Sequence, residues 1–279
     1  MNKEEQAYLD LLQNILNNGN ERSDRTGVGT KSIFGTTLRF DLSNGTLPVL
    51  TTKRTFYRGA IEEMLFFIRG ETDTKKLEAK GVNIWKGNTA KTNGEMGRMY
   101  GSQWRRWRAY DQGGHDPGSD FDQLQTIFDG IRSDPYSRRH VVSAWNVQDL
   151  DNGVLYPCHT MFQFYVEDGT LSCMFQMRSS DVPIGLPLNL IGYALLTHLI
   201  AKGTGLTARE LIFVGGDCHI YTNQIEAVRE QLIRSPFPFP KIHIDKPISS
   251  IKDMEQLVFN DFRVEGYQHH PPIKMPMNP

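Results

Sequence analysis

Apolar positions along this chain change their period, and the changes mark out its elements. In residues 5–17, Tyr8, Leu11, Leu12, Ile15 and Leu16 recur at helical spacing, and Asn18-Gly19 supplies a stop. Ile33, Leu38, Phe40 and Leu42 then predict a strand, the last three on one parity. In residues 57–69, Ile61, Met64, Leu65 and Ile68 form a helical face. Glu62 and Glu63 therefore sit on a half-buried element, where a carboxylate needs a reason. Residues 86–118 are rich in Gly, Asn and Arg and read as loops around Gln103-Trp104. A helix over 121–132, carrying Phe121, Leu124, Phe128 and Ile131, follows and ends at Asp134-Pro135.

Strand patterns occupy 140–147 and 160–178, the second divided by Asp168-Gly169 into a hairpin, because that dipeptide tolerates the positive φ of a tight turn. Cys158 thus lies just before a strand. Residues 189–201 predict a strongly apolar helix, 210–214 a short strand and 221–233 an amphipathic helix, before Phe237-Pro238-Phe239-Pro240 breaks the pattern. Strands are too many for a helical bundle and helices interrupt them irregularly, so the class is α+β with a mixed or antiparallel sheet. No composition shift or internal repeat divides the 279 residues, and a single domain over 1–279 is expected.

Charge narrows the partners. A formal net charge of -1 gives no long-range attraction to nucleic acid or to an anionic membrane, so small anionic substrates fit better than polymers. The charged first ten residues lack the apolar core of a signal peptide, and no run approaches the roughly 18 apolar residues of a membrane span. A soluble, cytoplasmic protein is the expectation. Cys158, Cys173 and Cys218 are odd in number and lack CxxC spacing, which argues against a disulfide framework or a zinc site and for reduced thiols. No phosphate loop, dinucleotide GxGxxG or HExxH occurs, and no metal is expected.

The chemistry centres on Leu155-Tyr156-Pro157-Cys158-His159, with Arg138-Arg139 upstream and Arg178 downstream. A thiol among guanidinium groups suggests a nucleophile acting on a phosphate-bearing substrate, since planar Arg forks suit phosphate and positive charge favours thiolate. Free Cys is nonetheless among the most buried residue types, so a structural thiol is the competing reading. His159 is badly placed as a base for Cys158, because adjacent residues at the head of a strand point to opposite faces; His219 is the alternative. Arg178, followed by Ser179-Ser180-Asp181, stands where a strand ends, a common place for ligand contacts. Arg105-Arg106-Trp107-Arg108 reads as a solvated face rather than a nucleic-acid platform.

Read in order, Asp24-Arg25-Thr26-Gly27, Thr51-Thr52-Lys53, Ile84-Trp85, Tyr100-Gly101-Ser102-Gln103-Trp104-Arg105, Ser137-Arg138-Arg139, Ser143-Ala144-Trp145-Asn146, Pro157-Cys158-His159, Arg178-Ser179-Ser180-Asp181, Gly185-Leu186-Pro187-Leu188-Asn189 and Gly215-Gly216-Asp217-Cys218-His219-Ile220-Tyr221 closely resemble the thymidylate synthase family over nearly the whole chain. The resemblance implies an α+β fold with its sheet at a homodimer interface, and covalent transfer of a one-carbon unit from 5,10-methylenetetrahydrofolate to C5 of deoxyuridylate (dUMP). By position it implies that Cys158 attacks C6 of the uracil, that Glu63, His159 and Asn189 form the network stabilising the resulting charge, and that Tyr100 assists removal of the C5 proton. Arg25, Arg178 and Ser179 match phosphate binders, with Arg138 and Arg139 reaching across from the second subunit. His219 and Tyr221 match the pair on the deoxyribose hydroxyl. Asp181 matches the pterin-binding carboxylate, and Trp85, Leu155, Gly185, Leu188 and Met277 match positions around the folate. Asn189 would select uracil, since a carboxamide both donates to O4 and accepts from N3–H.

The chain departs from the family pattern at Arg98, where Pro is usual, at Tyr156 and Met177, at Pro183, Ile184 and Leu188, where two aromatic rings are missing, and in its Met277-Asn278-Pro279 tail. Most of these changes fall where the family places folate or closes over it. Hydride quenching of the methylene intermediate gives a methyl group and water gives a hydroxymethyl group, so solvent exclusion selects the product. Met177-Arg178-Ser179 looks like the motif of the sister pyrimidine nucleotide hydroxymethylases, which makes a deoxyuridylate hydroxymethylase the competing reading, whereas retained Trp85 and His159 favour methyl transfer. A catalytically silent nucleotide- or RNA-binding protein would keep the arginines but has no need of Cys158.

Overall fold

A computed structural model describes residues 2–108 and 120–278. Its elements run α1 (Lys3–Asn18), β1 (Asn20–Arg22), β2 (Thr30–Asp41), α2 (Tyr57–Ile68), α3 (Lys75–Glu78), α4 (Gly101–Arg105), β3 (Trp107–Arg108), β4 (Asp120–Phe121), α5 (Gln123–Ser133), β5 (Val141–Ser143), β6 (His159–Glu167), β7 (Thr170–Asp181), α6 (Gly185–Thr204), β8 (Thr207–Tyr221), α7 (Ile225–Leu232), β9 (Lys241–Ile244), α8 (Ile251–Glu255) and β10 (Phe262–Glu265). Six strands make one sheet in the order β1-β2-β8-β7-β6-β5. All neighbours are antiparallel except β7 and β8, so the sheet is mixed and the fold is α+β, as the pattern predicts.

The parallel pair requires a crossover, and α6 supplies it. This helix buries residues all round, from Leu186 to Ala201, because it lies between β7 and β8 on one side and α2 on the other. It begins before the predicted 189–201, since Pro187 is tolerated in a first turn whose N–H groups have no helical partner. Helix α1 starts where Asn2 Oδ1 accepts from the Glu5 N–H at 3.1 Å, and it buries Tyr8, Leu11, Leu12 and Ile15 against β2. The Glu5 carboxylate is buried and accepts from the backbone N–H and hydroxyl groups of both Thr51 and Thr52, at 2.6 to 2.8 Å.

Several boundaries differ from the sequence expectation for identifiable reasons. The strand over 140–147 shrinks to β5, because Asn146 caps a 3-10 turn by accepting from the Gln148 N–H. The short strand at 210–214 lengthens to the whole of β8, flanked on both sides by β7 and β2. That extension takes the start of the predicted 221–233 helix, which opens only at Ile225. Phe121 belongs to β4 and is exposed, while Asp122 caps α5 by accepting from the Gln125 N–H. The loop predicted over 86–118 contains α4, with Gln103 and Trp104 buried; its last part, 109–118, lies outside the described residues. The solvated face expected at 105–108 holds for Arg106 and Arg108, which are exposed, but not for Arg105, which is half-buried and binds Asp122 and Glu255. The β6–β7 hairpin turns at Asp168 and Gly169, both with positive φ, as the dipeptide predicts.

Candidate active site

Strand direction assembles the site. Parallel pairing sets Ser179 of β7 beside Asp217 of β8 and Asp181 beside His219, so the C-terminal ends of both strands reach one edge. Antiparallel β6 begins at that edge, with His159 opposite Met177, and β2 begins there too, with Thr30 opposite Tyr221. A cavity of about 670 Å3 opens at this convergence. It is lined by Arg25, Leu155, Cys158, Arg178, Ser179, Asp181, His219, Tyr221 and Met277, all expected site residues, by Tyr156 and Asn278, expected only as departures near the folate, and by Asp217, to which the sequence assigned no role. The competing reading of Cys158 as a buried structural thiol fails here, for it is only partly buried, whereas Cys173 and Cys218 are buried.

The loop carrying Cys158 is held by its own backbone. Arg178 donates from Nε to the Pro157 carbonyl at 2.9 Å, from Nη2 to the Tyr156 carbonyl at 2.7 Å, and from its N–H to the Cys158 carbonyl at 2.8 Å. Its guanidinium carbon stands 5.6 Å from the Trp145 ring, a cation–π contact. The Cys158 N–H donates to the Tyr100 hydroxyl at 2.9 Å. Tyr100 itself has φ 47° and ψ −114°, a conformation that costs a non-glycine residue about 1–3 kcal/mol and clusters at functional sites. Gly101 follows because a Cβ there would lie 2.2 Å from the Phe67 carbonyl oxygen.

Behind the thiol lies a row of buried polar groups. Tyr100 stacks on His159 with ring centres 3.9 Å apart, and Nδ1 of His159 meets the Tyr193 hydroxyl at 2.7 Å. Burial pushes the imidazole down to about 3, so His159 stays neutral at ordinary pH. Glu63 accepts from Trp85 Nε1 at 2.7 Å. Burial raises its carboxyl to about 7, the Trp85 bond opposing the rise. The adjacent Glu62 is instead paired with Lys80 at 2.6 Å.

On the far side of the cavity, His219 Nδ1 and Asp217 Oδ1 are 2.9 Å apart, and Asp217 also binds Arg22 at 3.1 Å. The carboxylate favours the proton on Nδ1, which leaves Nε2 able to accept from a hydroxyl. Asp217 was missed, yet the signal existed: two residues apart on a strand, it and His219 share a face. Asp181 has its carboxyl raised by burial, partly offset by the hydrogen bonds it accepts and by the charge of Lys53. It accepts from the Ile184 N–H at 3.2 Å and from Gln224 Nε2 at 3.4 Å. Asp24 holds the loop bearing Arg25 by accepting from the Thr26 N–H and hydroxyl and from the Gly29 N–H.

Not every expected residue reaches the cavity. Asn189, Leu188 and Gly185 lie in the first turns of α6 and, like Glu63, Trp85, Tyr100 and His159, stand outside its lining. Arg138 and Arg139 are exposed on the turn before β5 and also lie outside it. Arg98, one of the departures, does not belong with the folate-facing changes: it pairs through Nε with buried Asp149 at 2.9 Å. Met177 is 3% exposed and does not line the cavity.

A family model described as "Thymidylate synthase" matches residues 6–279. A protein named thymidylate synthase 1/2, from Encephalitozoon cuniculi (strain GB-M1), is 46% identical over 286 residues, covering 98% of this chain and 97% of that protein. By ordered motifs, by mixed-sheet architecture and by both similarities, the chain belongs to the thymidylate synthase family.

Proposed function

We propose that this protein is a cytoplasmic, homodimeric thymidylate synthase, converting dUMP and methylenetetrahydrofolate to thymidylate and dihydrofolate in one catalytic domain. The observation that carries the reading is a partly buried thiol in an arginine-lined cavity, its loop fixed by Arg178 and Tyr100. Cys158 adds to C6 of the ring, making C5 nucleophilic. Arg25, Arg178 and Ser179 grip the phosphate, and His219 with Tyr221 receives the sugar hydroxyl. Asn189 reads N3 and O4 of the base. Glu63, whose carboxyl titrates near neutrality, and neutral His159 stabilise charge on the ring edge, while Tyr100 assists departure of the C5 proton.

The folate supplies the one-carbon unit and the reducing hydride. The residues fit it: Val154, Leu155 and Met277 offer apolar surface, and Asp181 offers a carboxyl whose raised pKa suits hydrogen bonding to a heterocycle. Trp85, Gly185 and Leu188 complete the folate environment. Trp85, tied to Glu63, shields the intermediate from water, and burial of Met177 keeps the one departing side chain of Met177-Arg178-Ser179 out of the cavity that Arg178 and Ser179 line. Exposure of Arg138 and Arg139 away from their own cavity supports their completing the phosphate site of a second subunit. Among the described residues, no helix is long and apolar enough to cross a membrane.

Incubation with both substrates tests the proposal. Thymidylate and dihydrofolate in equal amounts are expected. Hydroxymethyl nucleotide with tetrahydrofolate would replace it with the hydroxylating reaction, and tight dUMP binding without any product would indicate a silent binder.

A further inference from the structure

We infer that Arg98 is a positioning residue of the reaction, acting through the strained Tyr100 turn by its ion pair with Asp149; the inference rests on the role proposed for Tyr100. Two chain segments meet at this pair. One, 96–100, leads into Tyr100; the other, 149–158, leads into Cys158. They are stitched together by the bridge between Gly97 and Gly153, by the Arg98 N–H donating to the Asn152 carbonyl at 3.0 Å and by the Val154 N–H donating to the Met96 carbonyl at 3.0 Å.

Asp149 is the hub. Its side chain is fully buried and accepts from Arg98 Nε at 2.9 Å, Gln103 Nε2 at 3.0 Å, Asn146 Nδ2 at 3.2 Å and Asn152 Nδ2 at 3.1 Å. Arg98 is the cation among these donors. It also donates from Nη2 to the Arg106 carbonyl, just past the helix α4 that Tyr100 opens. The pair therefore clamps both ends of the short path 98–106. A residue held at positive φ relaxes unless its surroundings over-determine it, and a two-point guanidinium clamp two residues away provides that constraint. Where the family usually carries proline, whose ring fixes the backbone covalently, this chain fixes the same stretch by charge.

Removing Arg98 alone would strand a buried carboxylate and risk misfolding, so the informative variant changes both partners, Arg98→Met with Asp149→Asn. The carboxamide introduced by Asp149→Asn keeps an acceptor for the neighbouring amides. The reference is Tyr100→Phe, and all combinations are compared in a cycle. In the otherwise unaltered protein the Arg98/Asp149 change is expected to lower kcat about tenfold, the middle of one positioning effect, with KM for dUMP within about twofold, because the phosphate and sugar contacts are untouched. In the Tyr100→Phe background the same change is expected to have no further effect on kcat. Equal losses in both backgrounds, or an unchanged kcat, would overturn the inference.

A second readout does not require turnover. Cys158 is the accessible thiol, with Cys173 and Cys218 buried, so its alkylation by iodoacetamide reports the loop that Tyr100 holds. The Arg98/Asp149 change and Tyr100→Phe are each expected to alter that rate by at least about threefold, and non-additively. Should the protein fail to process dUMP while the alkylation cycle still shows coupling, the proposed reaction falls and the positioning role stands. Additive alkylation effects in an enzyme that makes thymidylate would remove the positioning role alone.

Discussion

Replacing Trp85 with Phe isolates the one interaction that restrains the Glu63 carboxyl. Burial lifts that group from its ordinary 4.5 to about 7, and the indole N–H at 2.7 Å is what opposes the rise. A hydrogen bond to a charged group contributes about 1.5–3 kcal/mol, and 1.36 kcal/mol corresponds to one pKa unit, so losing it should raise the carboxyl by roughly one to two units, to about 8–9. Phe keeps a ring to pack near Tyr100, whose centre lies 5.8 Å from that of Trp85. The assay is an infrared titration of the protonated carboxyl band, with Glu63→Gln identifying the signal.

The same shift has a signed consequence for stability. Because the folded pKa is raised, the native state holds more protons than the unfolded one between 4.5 and about 7, so this group's contribution is present at low pH and lost as pH rises through 7. In Trp85→Phe the loss continues to a higher pH. Its destabilisation, measured by urea unfolding, should therefore be about 1.5–2.5 kcal/mol greater at pH 9 than at pH 5. A band midpoint that stays near 7 or falls, or equal destabilisation at the two pH values, would refute the assignment of Trp85 as the restraining donor.

Other residues give independent tests. Cys158→Ala should abolish turnover while phosphate-dependent binding of dUMP, followed by calorimetry, is retained within a few-fold; persisting turnover would remove the covalent mechanism. Asn189→Asp should admit deoxycytidylate and lose preference for dUMP by about tenfold or more in kcat/KM, since a carboxyl matches the cytosine edge; an undiminished preference would count against its role. Mixing inactive Arg138→Glu with inactive Cys158→Ala protein should restore activity, to about a quarter of normal for random dimers, and no recovery would contradict the shared phosphate site. Glu5→Ala leaves two backbone and two hydroxyl donors without their acceptor and should cost about 3 kcal/mol or more in urea unfolding, with kcat of the folded protein unchanged.

What the sequence makes legible is local chemistry and period. Cys158, Arg178, Ser179 and Asp181 stand close along the chain around the ends of β6 and β7, and the Asp168-Gly169 turn fixes how those strands fold back, so the core of the cavity can be anticipated. The full reach of β8 cannot, because Gly215-Gly216 interrupt the apolar run and only pairing with β2 and β7 keeps the strand extended. Arg98 and Asp149 are 51 residues apart, and neither a lone Arg in a glycine-rich stretch nor a lone Asp after Asn146 signals a buried pair. Tyr100 illustrates the same limit: its identity is visible as a motif, but its positive φ contradicts local preference and depends on distant partners, Phe67 of α2, His159 and the Cys158 N–H, that pack around it.

Intact-protein mass spectrometry after incubation with methylenetetrahydrofolate and the 5-fluoro analogue of dUMP tests the central claim most directly. Fluorine cannot leave C5 as a cation in the way a proton does, so the nucleotide should remain bonded to the enzyme together with the one-carbon carrier. The predicted result is a mass increase equal to both ligands, mapped by proteolysis to the peptide containing Cys158 and absent from Cys158→Ala. An unmodified mass under conditions of saturating nucleotide binding, or an adduct on any other residue, would contradict it.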